Sequence, residues 1–77
     1  MTAKYYHYGT DCIIYDQAIC EDNIFVKVKS WRGSWAIEKP ETETKVCITN
    51  AEARRLFHAF CKQCKDDGYA CEYVKYD

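Results

Sequence analysis

The side chains best equipped for chemistry are six cysteines and two histidines in a chain of 77 residues. Cys61-Lys62-Gln63-Cys64 has the spacing of a redox dithiol. The reactive form of that motif sits at a helix N-terminus, where the dipole lowers the thiol pKa; here the pair falls about three turns into a predicted helix, among apolar residues spaced to face a core. His58, Cys61, Cys64 and Cys71 are all of zinc-ligand type, yet an unbroken helix rises about 9 Å from His58 to Cys64, too far for ready convergence on one ion. Cys61 and Cys64 with Cys71 and Cys47 is geometrically easier, but no second closely spaced pair accompanies them. Core thiols are therefore expected, with no metal and no cofactor. His7 and His58 are the two side chains able to act as a base near neutral pH. A nucleophile elbow and a glycine-rich phosphate loop are both missing from the sequence, and the carboxylates cluster in turns, so no enzymatic activity is expected.

The compartment follows the same thiols. Residues 1 to 20 lack a basic segment followed by the apolar stretch of a signal peptide, since Lys4 is followed by tyrosines, His7, Gly9 and Asp11. A reducing cytoplasm is expected, in which a disulfide framework would not persist. Eleven Lys and Arg against twelve Asp and Glu give a net charge of −1, which argues against binding nucleic acid by bulk charge and against an acidic DNA mimic. The hydrophobic fraction of 48%, three glycines and one proline describe a folded chain. At this length it forms a single domain, residues 1–77, with a marginal core, and its short apolar runs cannot span a membrane.

The amino-terminal half reads as strands: Lys4 to Tyr8, Cys12 to Ile19, and Ile24 to Trp31, the last alternating with Ile24, Val26, Val28 and Ser30 on one face and Phe25, Lys27, Lys29 and Trp31 on the other. Cys12, Cys20, Cys47 and Cys71 fall in such strands, as small buried hydrophobes. A two-residue loop at Arg32-Gly33 would pair Trp31 with Ser34, Ser30 with Trp35, Val28 with Ile37 and Lys27 with Glu38. Pro40 ends that strand, and the polar stretch Glu41 to Glu43 leads to a short strand at Lys45 to Ile48. Thr49 as N-cap with Glu52 three residues on predicts a helix that stops at Gly68. Winding it sets Ala53, Leu56, Phe57, Phe60 and Cys64 on one stripe, with Cys61 at its edge. A closing strand, Tyr69 to Tyr76, returns to the sheet. The expected fold is α+β: an antiparallel sheet of about five strands with one helix on one face, leaving the other face partly open.

Two surfaces are left for function. Arg54, Arg55, His58, Lys62 and Lys65 share the outer helix face, able to meet phosphates or an acidic protein surface, although Asp66 and Asp67 weaken its field. Seven tyrosines and two tryptophans exceed what a small core holds, and pairs such as Tyr5 with His7 and Tyr6 with Tyr8 must point to opposite sheet faces. Rigid rings with polar tips suit protein interfaces. The candidate partner-binding residues are thus Tyr5, Tyr6, Tyr8, Trp31, Arg32 at the hairpin tip, Tyr73 and Tyr76, with the five helix residues as the second surface.

In make-up, the strand-rich segment KYYHYGTDCIIYDQAICEDNIFVKVKSWRGSWAIEKP, the helix AEARRLFHAFCKQCKDDG and the closing strand YACEYVKY resemble small phage-encoded inhibitors of bacterial immunity, including anti-CRISPR proteins. The likeness spans the whole chain and lies in size, layout and composition, so no site residue is carried over from it. It implies a stoichiometric, non-enzymatic binder that blocks a site on a larger nucleic-acid-handling complex, such as a subunit of a bacterial CRISPR effector, in the host cytoplasm. A protein-binding inhibitor or adaptor is the first expectation. A small nucleic-acid-binding module, with phosphates on the helix face and bases stacked on sheet aromatics, is the alternative.

Overall fold

The computed structural model describes residues 1–33 and 39–76. Strands β1 (Thr2–Gly9), β2 (Cys12–Glu21), β3 (Ile24–Gly33) and β4 (Glu41–Val46) precede helix α1 (Asn50–Asp66) and strand β5 (Ala70–Lys75). They form a five-stranded sheet in the order β4-β3-β2-β1-β5, every neighbouring pair antiparallel, with α1 on one face. This is the expected α+β architecture. Two-residue turns join the first three strands, with Gly9 opposite Cys12 and Glu21 opposite Ile24. Each turn holds an aspartate in the left-handed region, Asp11 at φ 58° and Asp22 at φ 53°, a conformation that Asp tolerates better than most residues.

Register decides what lies under the helix. Ala3 faces Ala18, Tyr5 faces Asp16 and His7 faces Ile14 across β1 and β2, while Cys20 faces Phe25 and Ala18 faces Lys27 across β2 and β3. Opposed residues share a face, so the odd residues of β1 and β3 and the even residues of β2 lie on the helix side. The core there consists of Ala3, Tyr5, Ala18, Cys20, Phe25 and Cys47 against Ala53, Phe57, Cys61 and Cys64 of α1. Ala3, Ala18 and Ala53 are wholly buried and small, which lets the helix approach the sheet, and Tyr5 and Phe57 are the largest side chains fully enclosed between them.

Both helix ends follow the sequence signals. Thr49 Oγ1 accepts from Glu52 N at 3.1 Å, and Glu52 Oε2 accepts in return from Ile48 N at 3.3 Å, one residue earlier than in the usual capping box. At the other end Gly68 takes φ 77°, with Gly68 N donating to Lys65 O and Tyr69 N to Cys64 O; only a residue without Cβ enters this turn at no steric cost.

The expected hairpin is corrected. Arg32 and Gly33 are not a turn: they continue β3, opposite Ile13 and Cys12. Val28 faces Thr42 and Lys27 faces Glu43, not Ile37 and Glu38. The second half of that hairpin, 34–38, lies outside the described residues. The fourth strand starts earlier than expected, at Glu41, and ends before Cys47. Its Glu-Thr-Glu-Thr-Lys-Val alternation, polar on both faces, reads as linker by hydrophobicity, yet threonine suits strands and a sheet edge accepts charge. Truncating Phe57 to Ala should cost about 3–5 kcal/mol in chemical denaturation, whereas Tyr8→Ala, on an exposed side chain, should stay within about 0.5 kcal/mol.

Candidate protein-binding face

The sheet face away from α1 carries many apolar side chains among polar ones such as Lys4, Gln17, Ser30 and Arg32, and no described element covers it. Register places on it Tyr6 and Tyr8 from β1, Ile13, Tyr15, Gln17 and Ile19 from β2, Ile24, Val26 and Val28 from β3, and Thr42, Thr44 and Val46 from β4. Tyr8 is 75% exposed, Val46 69% and Ile24 40%. Five strands at ~4.8 Å and about eight residues at ~3.3 Å give the whole face, polar side chains included, roughly 600 Å², near half of the ~1,200 Å² total in the smallest specific interfaces.

Aromatic packing stiffens one corner of this face. The Tyr6 ring lies 6.0 Å from Tyr8, edge to face at 87°, and 6.2 Å from Tyr15. Lys4 Nζ sits 4.7 Å above the Tyr15 ring and 3.6 Å from Glu72 Oε2, so its charge is held between a ring and a carboxylate. Gln17 Nε2 donates to Tyr73 Oη at 3.2 Å, and Lys75 Nζ lies 5.4 Å from the Tyr73 ring. Tyr6, Tyr8, Ile13 and Tyr15 line a shallow depression here together with Cys71 and Glu72. Rings that pack on one another have less freedom to lose when a partner docks.

The candidate residues named from sequence divide. Tyr6, Tyr8, Arg32 and Tyr73 belong to the open face. Tyr5 is corrected: it is wholly buried, with its ring 6.2 Å from Phe60, because odd positions of β1 point under the helix. Trp31 falls on the helix side of β3, opposite Ile14, and is half-buried. Tyr76 stacks on His58 at 5.9 Å and meets Phe57 edge-on, so it belongs with the helix. Arg54, Arg55, His58, Lys62 and Lys65 are all exposed on α1, and Lys62 Nζ lies 3.9 Å from Asp66 Oδ2. The basic helix face and the aromatic sheet face therefore look in opposite directions, separated by the two-layer thickness. Ile13, Ile19, Val26 and Val28, not among the named candidates, supply the centre of the open face; the alternation of β3 was the signal that could have found them.

On the helix side, register brings together a polar cluster that spacing did not reveal. His7 Nε2 lies 3.3 Å from Asp16 Oδ2, and the His7 ring stacks on Tyr69 at 3.9 Å and 11°. Beside it a cleft of about 160 Å³ is lined by Asp16, Lys27, Lys29, Glu41, Glu43 and Phe60. The nearby thiol is not an activated nucleophile. Burial, and then the negative charge of Asp16, push Cys64 up to about 12, whereas a reactive cysteine needs a lowered pKa. Burial likewise raises the Cys61 thiol and the Tyr5 phenol, and the buried Tyr5 hydroxyl has no hydrogen-bond partner among the described residues. Among the described residues no group of three or more His, Cys, Asp or Glu is arranged to hold a metal ion. Five of the six cysteines are buried; Cys71 is exposed, beside the register shift within the β1–β5 pairing.

No protein-family model, no curated protein and no solved structure matches this chain.

The core thiols set a pH dependence. A group held protonated by folding has its folded pKa above its unfolded value, so the unfolded chain releases the proton first and stability falls as pH rises between the two values. For Cys64 that window runs from 9.0 to about 12. The thermal midpoint should be flat from pH 6 to about pH 8 and fall steadily above about pH 9; Cys64→Ala should flatten part of that fall.

Proposed function

We propose that the chain is a non-enzymatic protein-binding module whose docking surface is the open sheet face. The observation that carries this reading is the apolar band from Tyr8 and Ile13 through Tyr15, Val28, Val26 and Ile19 to Ile24 and Val46, exposed at its two ends and half-buried between, on a domain with little core of its own. Aromatic anchors at one end, aliphatic residues in the middle and charges at the margin (Lys4, Glu21, Arg32, Lys75) match the centre and rim of protein interfaces. The partner is a protein with a matching apolar patch. A stoichiometric inhibitor or adaptor acting on a larger bacterial complex, in the manner of anti-CRISPR proteins, works through a surface of this kind.

Against the nucleic-acid alternative, the basic helix face and the sheet aromatics point away from one another, so one strand cannot lay phosphates on the first and bases on the second without circling the domain. The open face is also aliphatic across its middle, where base stacking would call for rings.

Affinity capture from a bacterial lysate, comparing the native chain with Tyr8→Ala/Tyr15→Ala and with Arg54→Glu/Arg55→Glu, tests this reading. The tyrosine variant should weaken capture of the partner about 30-fold or more, as for a hot-spot pair, and the arginine variant should capture it as well as the native chain does. Loss of capture with the arginine variant alone, or tight binding of single-stranded DNA or RNA that falls steeply with salt, would overturn it.

A further inference from the structure

Strand β4 ends the sheet on one side, with β3 as its strand neighbour among the described residues. All six of its residues are exposed. Charge on an edge strand ordinarily discourages pairing, so the order of the charges decides what this edge accepts. Glu41, Glu43 and Lys45 lie on the helix side, opposite Lys29, Lys27 and Phe25; Thr42, Thr44 and Val46 lie on the open face, opposite Val28, Val26 and Ile24.

We propose that β4 pairs antiparallel with β4 of a second copy of this chain, about a two-fold axis normal to the sheet at Thr44, giving a continuous ten-stranded sheet. Directly opposed residues share a face, so the axis must pass through a residue position, and few registers exist. Centring on Glu43 sets Glu43 against Glu43 at the axis, with Glu41 against Lys45 on either side; centring on Lys45 sets Lys45 against Lys45, and centring on Thr42 sets Glu41 against Glu43 twice. Each of these opposes like charges, which is destabilising. Centring on Thr44 sets Glu43 against Lys45 of the second copy and Lys45 against its Glu43, with Thr42 against Val46 and Thr44 against itself. The charges that block the other registers select this one.

Both faces continue across the seam. On the helix side Lys27 Nζ already lies 3.9 Å from Glu43 Oε2, and the row becomes Lys27, Glu43, Lys45 with alternating sign. Among the described residues Lys45 has no ion pair within one copy. On the open face the row becomes Val28, Thr42, Val46, Ile24, so Val46, the most exposed aliphatic residue of the sheet, gains a β-branched neighbour. The helices clear one another: α1 packs on β2 and β3, and the two β3 strands would stand three strand spacings apart, about 14 Å, beyond a helix diameter of about 10–12 Å. The edge contact leaves the open face free and does not rest on the function proposed for it.

Sedimentation equilibrium of the full chain over a concentration series, under reducing conditions, tests the pairing. The native chain should show a monomer–dimer equilibrium. Glu43→Lys and Lys45→Glu should each weaken it roughly tenfold, and the double variant Glu43→Lys/Lys45→Glu should restore it, since opposite charges again face one another. A second readout does not depend on those charges: in a Cys71→Ser chain treated with glutathione disulfide, Thr44→Cys should link two copies as each thiol pair reduces one glutathione disulfide to two glutathiones. At the axis opposed Cα atoms fall in the ~4.4–6.8 Å range a disulfide needs, whereas Thr42→Cys, facing Val46, should not link. A native chain monomeric throughout, a double variant as weak as the singles, equal linking at Thr42 and Thr44, or dimers lost with Val28→Asp but kept with Glu43→Lys would each overturn the proposal.

Discussion

One helix has to roof a sheet wider than itself, and most of this molecule's character follows from that mismatch. Five strands span about 24 Å, while a helix with its side chains is about 10–12 Å across, so α1 can close a core over the middle strands and no further. Between it and the sheet lie the three wholly buried alanines, Ala53 on α1 and Ala3 and Ala18 on the strands, with the Tyr5 and Phe57 rings. Towards β4 the same sheet face turns to charge, with Asp16, Lys27, Lys29, Glu41 and Glu43 around an open cleft. Among the described residues no helix covers the sheet's other face, and the apolar side chains on it cover one another only in part.

The roofed core is built from unusually small groups. Cys20, Cys47, Cys61 and Cys64 join the alanines as its fillers, and thiols suit narrow spaces that leucine would overfill. Burial opposes thiolate formation at Cys61 and Cys64, and at Cys64 the carboxylate of Asp16 adds to it. A cysteine-rich chain thus carries its sulfur as packing material, with Cys71 at the sheet margin as the exposed exception.

Much of this was legible from residue order, and the gaps have physical causes. The helix was readable to the residue at its start, because Thr49 and Glu52 act locally and satisfy backbone donors whatever the rest of the chain does. The β1–β2–β3 meander was readable from alternation and two short polar turns. The Arg32-Gly33 turn was misread because a glycine after a cleanly alternating strand fits a hairpin, while in the fold it is the close approach of Asp11 and Cys12 that this glycine permits: a Cβ on Gly33 would lie 2.6 Å from Asp11 O. Nothing local to Gly33 announces a neighbour twenty residues upstream. The site was legible in kind, as aromatics on an uncovered face, but not in membership. Tyr5 and Tyr6 are chemically alike, and only the position of α1 decides that one is sealed and the other presented. For the same reason the more apolar face of β3, Val26 and Val28, proved to be the open one, while Lys27 and Lys29 stand on the helix side.

The pairing of β1 with β5 has a kinetic meaning. β1, β2 and β3 are joined by two-residue turns and can zip together through local contacts, but β1 meets β5 across nearly the whole chain, Thr2 against Lys75. Loop closure of that length costs little more in free energy than a moderate one, yet distant pairings are found slowly. Strand β1, an interior strand of the finished sheet, therefore has a free edge in the interval before β5 arrives. The vulnerable moment of this protein is the search that precedes closure, and the speed with which α1 turns the chain back towards β1 determines how long that edge is open to other chains.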